Sequence, residues 1–195
     1  MTQFMSDFTA YNSEKTAHRV LEAPPSPDAI VNCAIPYDTY ARPHANTVRQ
    51  ELTPNATIVG LSVGRIHPVK DQLTIVRALH KLAQSNHLPD GYRHILLGAT
   101  TDEAYSQNLD QAIRDCNLQQ VIVRHPAVQA VAGFYHAADV LIHASQAESF
   151  GLVIVEAAAA GLPIIATYEA DVLGFVDATG DNYLFPAGDA DKLAQ

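Results

Sequence analysis

From residue 57 onward, short apolar runs rich in β-branched residues alternate with segments whose apolar side chains recur every three or four positions. Few folds accommodate such an alternation. Residues 57–63 (TIVGLSV), 95–97 (ILL), 121–123 (VIV), 140–142 (VLI), 164–166 (IIA) and 183–185 (YLF) read as strands. Residues 70–85 carry Leu73, Val76, Ala78, Leu79 and Leu82 at helical spacing. Residues 102–116 and 128–138 read as two further helices, and residues 151–160 as a third, stopped by Gly161 and by Pro163 two residues on. Strands that are apolar on both faces belong in a parallel sheet covered on both sides. The expectation is a doubly wound α/β domain over residues 44–195, binding its ligand beyond the carboxyl ends of the strands.

The first 43 residues do not fit that rhythm. A short helix is expected over residues 13–21 with Ser13 as its N-cap, followed by the Pro-rich stretch APPSP at 23–27. Residues 29–35 (AIVNCAI) read as a strand that Pro36 ends. This segment has too few apolar residues for a core of its own and reads as the end of another unit.

Composition removes several function classes. With 48% apolar and 17% charged residues, the chain is built to pack rather than to remain a disordered acidic tail. Its net charge of -9 and pI near 5.3 argue against an extended nucleic-acid footprint but leave room for a local anion site. No run of 18 apolar residues occurs, and the amino terminus lacks the basic start and apolar core of a secretory signal. Cys33 and Cys116 form no C-x-x-C pair, as expected of thiols in a reducing, cytoplasmic setting. The nine histidines include no H-E-x-x-H and none lies three or four positions from another, so scattered structural histidines are expected rather than a metal centre.

Three motifs carry chemistry. Gly60-Leu61-Ser62-Val63-Gly64 matches G-x-S-x-G, which in α/β-hydrolases displays a nucleophilic serine on a strand-to-helix turn. Ser62 stands inside an apolar strand here, so a serine hydrolase using Ser62 is the weaker alternative. At the end of the same strand come Gly64 and Arg65, and Lys70 opens the next helix. A planar fork and a point charge flanking one loop suit phosphate oxygens, although two solvated surface cations would leave the same trace. In AESFGLVIVEA (147–157), Glu148 precedes a helix and Glu156 lies within it. The surrounding LVIV and AAAA predict a buried helix, in which Glu156 needs a partner or a ligand. The entry at Ser149, Phe150 and Gly151 is expected to offer backbone N–H groups and a helix dipole to an anion.

VGRIHPVK (63–70) and FYHAADVLIHASQAESFGLVIVEAAAAGLPIIAT (134–167) together resemble the carboxyl-terminal half of GT-B retaining glycosyltransferases, nearest to glycosyltransferase family four. The family's G-R-x-x-x-x-K segment, its E-x7-E motif, the small-residue helix and the G-x-P before a strand stand in the family's order, and the resemblance covers residues 29–194. It implies a Rossmann-like, nucleotide-sugar-binding domain, with residues 1–43 as a remnant of the acceptor-side domain and the interdomain crossing. Arg65 and Lys70 would hold the donor diphosphate, and the backbone around Gly64, Phe150, Gly151 and Leu152 the phosphate and sugar. Glu148 would sit beside the reacting carbon, and Glu156 would bind the ribose hydroxyls. No metal or other cofactor is expected. The expected partners are a nucleotide-sugar donor, an unidentified acceptor and an amino-terminal GT-B domain, with membrane-peripheral contact left to parts outside this chain and no nucleic acid. The family's closing helices do not follow Asp189 within these residues, so weak or no transfer is expected from the chain alone, and a non-catalytic nucleotide-binding module is the other alternative.

The sequence departs from the family in two loops and at Asn182, which stands where a glycine is common and accepts a left-handed backbone. Val123-Arg124-His125-Pro126 replaces a common glycine near the nucleobase, and Tyr168-Glu169-Ala170-Asp171 replaces the usual G-G near the donor sugar.

Overall fold

A computed structural model describes residues 34–41, 47–169 and 182–195. Two short helices come first, α1 (Tyr37–Ala41) and α2 (Thr47–Leu52). The alternation read from the sequence follows: β1 (Ile58–Val63), α3 (Gln72–Gln84), β2 (Tyr92–Leu97), α4 (Glu103–Asp115), β3 (Ile122–His125), α5 (Ala132–Ala137), β4 (Val140–His143), α6 (Leu152–Ala159), β5 (Ile164–Thr167), β6 (Asn182–Phe185) and α7 (Ala190–Leu193). The six strands form one sheet in the order β3-β2-β1-β4-β5-β6, and each neighbouring pair is parallel. The order reverses between β1 and β4.

Both faces are covered, as strands without polar alternation require. Val59, Leu61, Ile95, Leu141 and Ile164 point to one face, where α1, α5 and α6 supply Tyr40, Tyr135 and Ile154. Leu96, Ile122 and Ile142 point to the other, beneath Ile75 and Leu79 of α3, Leu109 of α4 and Leu193 of α7. Arg49 of α2 ties the first face to the sheet. It pairs with Asp139 at 2.9 Å, and Asp139 Oδ2 accepts from Val59 N at 2.7 Å. No helix among the described residues is long and apolar enough to cross a membrane.

Several boundaries differ from the sequence reading. The helix expected from residue 128 begins at Ala132, because Val131 caps it without a side-chain bond and nothing from Pro126 to Ala130 supplies a cap. β2 starts at Tyr92 rather than Ile95, since Tyr92 and His94 find hydrogen-bond partners inside the sheet. α6 is less buried than its composition predicts. Only Ile154 and Ala157 are buried, while Leu152 and Ala158 are exposed. Ala34 and Ile35 lie outside any strand, and the rest of the strand expected at 29–35, the helix expected at 13–21 and Cys33 fall outside the described residues.

Candidate functional site

The crevice where the strand order reverses receives the loops that leave β1 and β4. Both loops are held by identifiable bonds. After β1, Gly64 N donates to Leu97 O at 2.9 Å and Ile66 N to Ala99 O at 2.8 Å. Gly98 permits this approach, for a Cβ at that position would lie 1.9 Å from Gly64 O. A 3-10 turn, Pro68–Lys70, follows, with His67 Nδ1 accepting from Val69 N at 3.2 Å. Asp71 then takes a left-handed backbone (φ 45°), uncommon for any residue but glycine. Its carboxylate repays that strain by capping α3, accepting from Thr74 N at 3.3 Å and from Thr74 Oγ1 at 2.8 Å, and by accepting from Gln146 Nε2 at 3.1 Å. Gln146 N also donates to Val69 O at 2.8 Å, so the β4 loop and the β1 loop are stitched together beside Lys70.

This stitching brings Lys70 and Glu148 into contact although 78 positions separate them. Lys70 Nζ lies 2.5 Å from Glu148 Oε2, with both side chains largely buried. Glu148 Oε1 accepts from its neighbour's amide, Ser149 N, at 3.2 Å. His143, at the end of β4 and 4% exposed, places Nε2 3.2 Å from Glu148 Oε2. That contact is close but misaligned, and Nε2 makes no hydrogen bond. Burial alone would raise the Glu148 carboxyl. His143 and Lys70 outweigh it and hold the group down at about 2.

Arg65 is exposed beside the same loop. Its carbonyl accepts from Gln72 Nε2 at 2.9 Å, and its guanidinium forms no ion pair among the described residues. Phe150 and Gly151 are buried, and Gly151 caps α6 with φ 94°, a conformation that favours glycine. The amides of Leu152 and Val153 meet no backbone acceptor among the described residues, so the first turn of α6 keeps free donors. Gly64, Arg65, Lys70, Glu148, Phe150, Gly151 and Leu152 therefore gather at the carboxyl edges of β1 and β4.

Glu156 has a different setting. Its carboxylate accepts from Tyr40 Oη at 2.9 Å and from Tyr135 Oη at 2.6 Å. Burial, reinforced by the carboxylate, raises the Tyr40 phenol to about 12 and the Tyr135 phenol higher still, so both remain donors. The residue type alone called for a partner here. It did not reveal that two tyrosines from α1 and α5 fill that role.

Ser62 is not a nucleophile. It lies in the middle of β1 and is 8% exposed. Its hydroxyl donates to Ile142 O at 2.6 Å and lies 3.0 Å from His94 Nε2. With the serine proton committed, Nε2 must be the donor, and Nδ1 accepts from Tyr92 Oη at 3.0 Å. The serine–histidine contact is a sealed structural chain, which overturns the hydrolase alternative. Arg124, expected in a loop, lies in β3 and is likewise engaged, pairing with Asp110 at 2.5 Å and Ser106 at 3.0 Å.

The model of the family described as glycosyl transferases group 1 matches residues 45–195. The chain belongs to this family. A D-inositol 3-phosphate glycosyltransferase of Xylanimonas cellulosilytica is 32% identical over 136 residues, which are 68% of this chain and 30% of that protein. D-inositol 3-phosphate glycosyltransferase 2 of Catenulispora acidiphila is 29% identical over 170 residues, 84% of this chain and 39% of the relative. The chain thus spans less than half the length of these group 1 relatives. Among solved structures, Anabaena Alr3699/HepE in complex with UDP and glucose superposes with a TM-score of 0.84 at 23% identity, covering 97% of this chain and 52% of that one. The carboxyl-terminal domain of a group 1 glycosyl transferase, LpcC from Francisella tularensis, superposes with a TM-score of 0.71 at 18% identity, covering 83% and 84%. At those identities the likeness shows the fold, a Rossmann-like domain of the GT-B kind that corresponds to about half of the Anabaena chain.

Proposed function

We propose that this chain is the donor-binding half of a retaining glycosyltransferase that uses a nucleotide-sugar. The observation that carries the reading is the convergence of Arg65, Lys70, Glu148 and the open first turn of α6 on one crevice in a group 1 glycosyl transferase domain. Cleavage of a nucleotide-sugar leaves negative charge on the departing diphosphate, and fixed cations and helix amides aimed there stabilise the transition state more than the ground state. Arg65 and Lys70 are the cations. Gly64 and Gly151 keep side chains away from the phosphates, Phe150 seats the turn, and the α6 amides, Leu152's among them, receive an oxygen. The charge is carried by these groups, so the proposal uses neither a metal ion nor another cofactor.

Glu148 stands at the sugar end of the crevice and orients the transferred sugar through its hydroxyls. Glu156 takes the ribose. Each of its oxygens accepts one tyrosine hydroxyl and keeps a second lone pair for a ribose hydroxyl. The acceptor, which remains unidentified, is met by an amino-terminal GT-B domain. Support for the donor class comes from the Anabaena neighbour, solved with UDP and with UDP-glucose.

Isothermal titration of the chain with UDP, GDP and ADP tests the reading. One nucleotide should bind, and the Arg65→Ala, Glu156→Ala double variant should bind it at least about tenfold more weakly, a loss of about 1.4 kcal/mol. Equal binding by the two proteins would overturn the site assignment.

A further inference from the structure

Lys70 is paired with Glu148, and Glu148 Oε2 lies between two nitrogens. One belongs to Lys70 at 2.5 Å, and the other is Nε2 of the buried His143 at 3.2 Å, which has no hydrogen bond. A buried imidazole nitrogen without a partner is costly, and this one faces a carboxylate that a small rotation would bring into line. The arrangement explains how one lysine can serve both a carboxylate and a diphosphate. We propose that His143 is a positioning residue which takes over the Glu148 carboxylate when a donor diphosphate draws Lys70 away. This rests on the donor-site reading given above.

The charges make the exchange directional. A diphosphate competes for Lys70 with more than one negative charge, so it wins the ammonium. Glu148 is then left buried and unpaired unless another cation replaces the lysine, and such a carboxylate costs several kcal/mol. His143, whose Nε2 stands 3.2 Å from Oε2, is the group placed to become that cation, by taking a proton from solvent. The groups around His143 leave this role to it. β5 places Ala166 opposite in the sheet, and the charge on α6, Glu156, is held by Tyr40 and Tyr135. Asp71, next to Lys70, is engaged by Thr74 and Gln146. Handing Glu148 from Lys70 to His143 keeps the carboxylate at the sugar end of the crevice while the lysine moves to the leaving group.

The exchange has a signature that simple packing by His143 lacks, namely net proton uptake on nucleotide binding. Titrating the chain with UDP near neutral pH in buffers of different ionisation enthalpy should show uptake approaching about one proton per UDP. His143→Gln keeps an N–H donor for Glu148 but cannot carry the charge, so it should bind UDP more weakly than the parent, more tightly than the His143→Leu variant, and with no uptake. His143→Leu keeps the volume but offers no donor, so it should bind at least about tenfold more weakly while its unfolding midpoint confirms that it folds. Uptake that persists in His143→Gln, or parent binding without uptake, would overturn the handover and leave the donor site standing. Failure of the parent chain to bind UDP, GDP or ADP would overturn both.

Discussion

The Tyr135 hydroxyl donates to Glu156 Oε2 at 2.6 Å, from a side chain that is fully buried in α5 to a carboxylate on α6. With Tyr40 on the other oxygen, it fixes the position of Glu156 before any ligand arrives. Tyr40 and Tyr135 also meet edge to face, with ring centroids 5.7 Å apart, so α1, α5 and α6 are locked at one point.

Tyr135→Phe removes this donor while keeping the ring and its packing. A hydrogen bond to a charged group contributes about 1.5–3 kcal/mol, and the half-buried carboxylate recovers part of that from water. Urea unfolding should therefore show a loss of about 1–2 kcal/mol. A change below the experimental error would mean that the carboxylate does not depend on the tyrosine.

Gly98→Ala should damage the site from outside it. The new Cβ would fall 1.9 Å from Gly64 O, and backbone on both sides leaves no flexible group to yield. Overpacking of this kind costs about 1–3 kcal/mol, and here it pushes the Gly64–Arg65 loop away from its Leu97 and Ala99 anchors. Unfolding free energy and UDP affinity should fall together. An alanine variant as stable as the parent would contradict the close approach.

The Tyr92–His94–Ser62 chain predicts a particular acid response. Burial pushes the His94 imidazole down from 6.5 to about 3. The unfolded chain therefore binds a proton that the folded one refuses, and stability rises with pH across that interval. Folding stability should fall as pH drops below about 6.5 and keep falling towards 3, with a total on the order of several kcal/mol. Glu148, held down from 4.5 to about 2, adds a second loss between those values with the same sign. Urea midpoints between pH 4 and pH 8 should slope steeply for the parent and more gently for His94→Gln. Parallel slopes would show that His94 does not carry the effect.

Much of the site was legible because it depends on local chemistry at strand ends. Arg65 and Lys70 sit where strand, turn and helix signals meet, and Glu148 and Gly151 sit at a helix entry that short-range pattern marks. His143, Gln146, Asp71, Tyr40 and Tyr135 left no such signal. A histidine at a strand end, a loop glutamine and two scattered tyrosines look ordinary until residues distant in the chain are brought beside them. The same limit explains β2, whose polar beginning at Tyr92–His94 breaks the apolar pattern because Tyr92 bonds His94 and the partner of His94, Ser62, comes from the neighbouring strand β1.

By itself, the order of apolar periods determined a parallel, doubly wound sheet, since strands apolar on both faces need helices on both sides and parallel strands need crossovers. It also determined that cations and a glycine-capped helix would stand at strand ends. Only the tertiary structure decided which charges neutralise one another. Lys70 meets Glu148 because β1 and β4 are neighbours at the point where the strand order reverses, and that adjacency follows from packing two faces at once rather than from any local propensity. Ser62 shows the same division: its motif is a matter of five residues, but its chemistry was settled by the strand on either side.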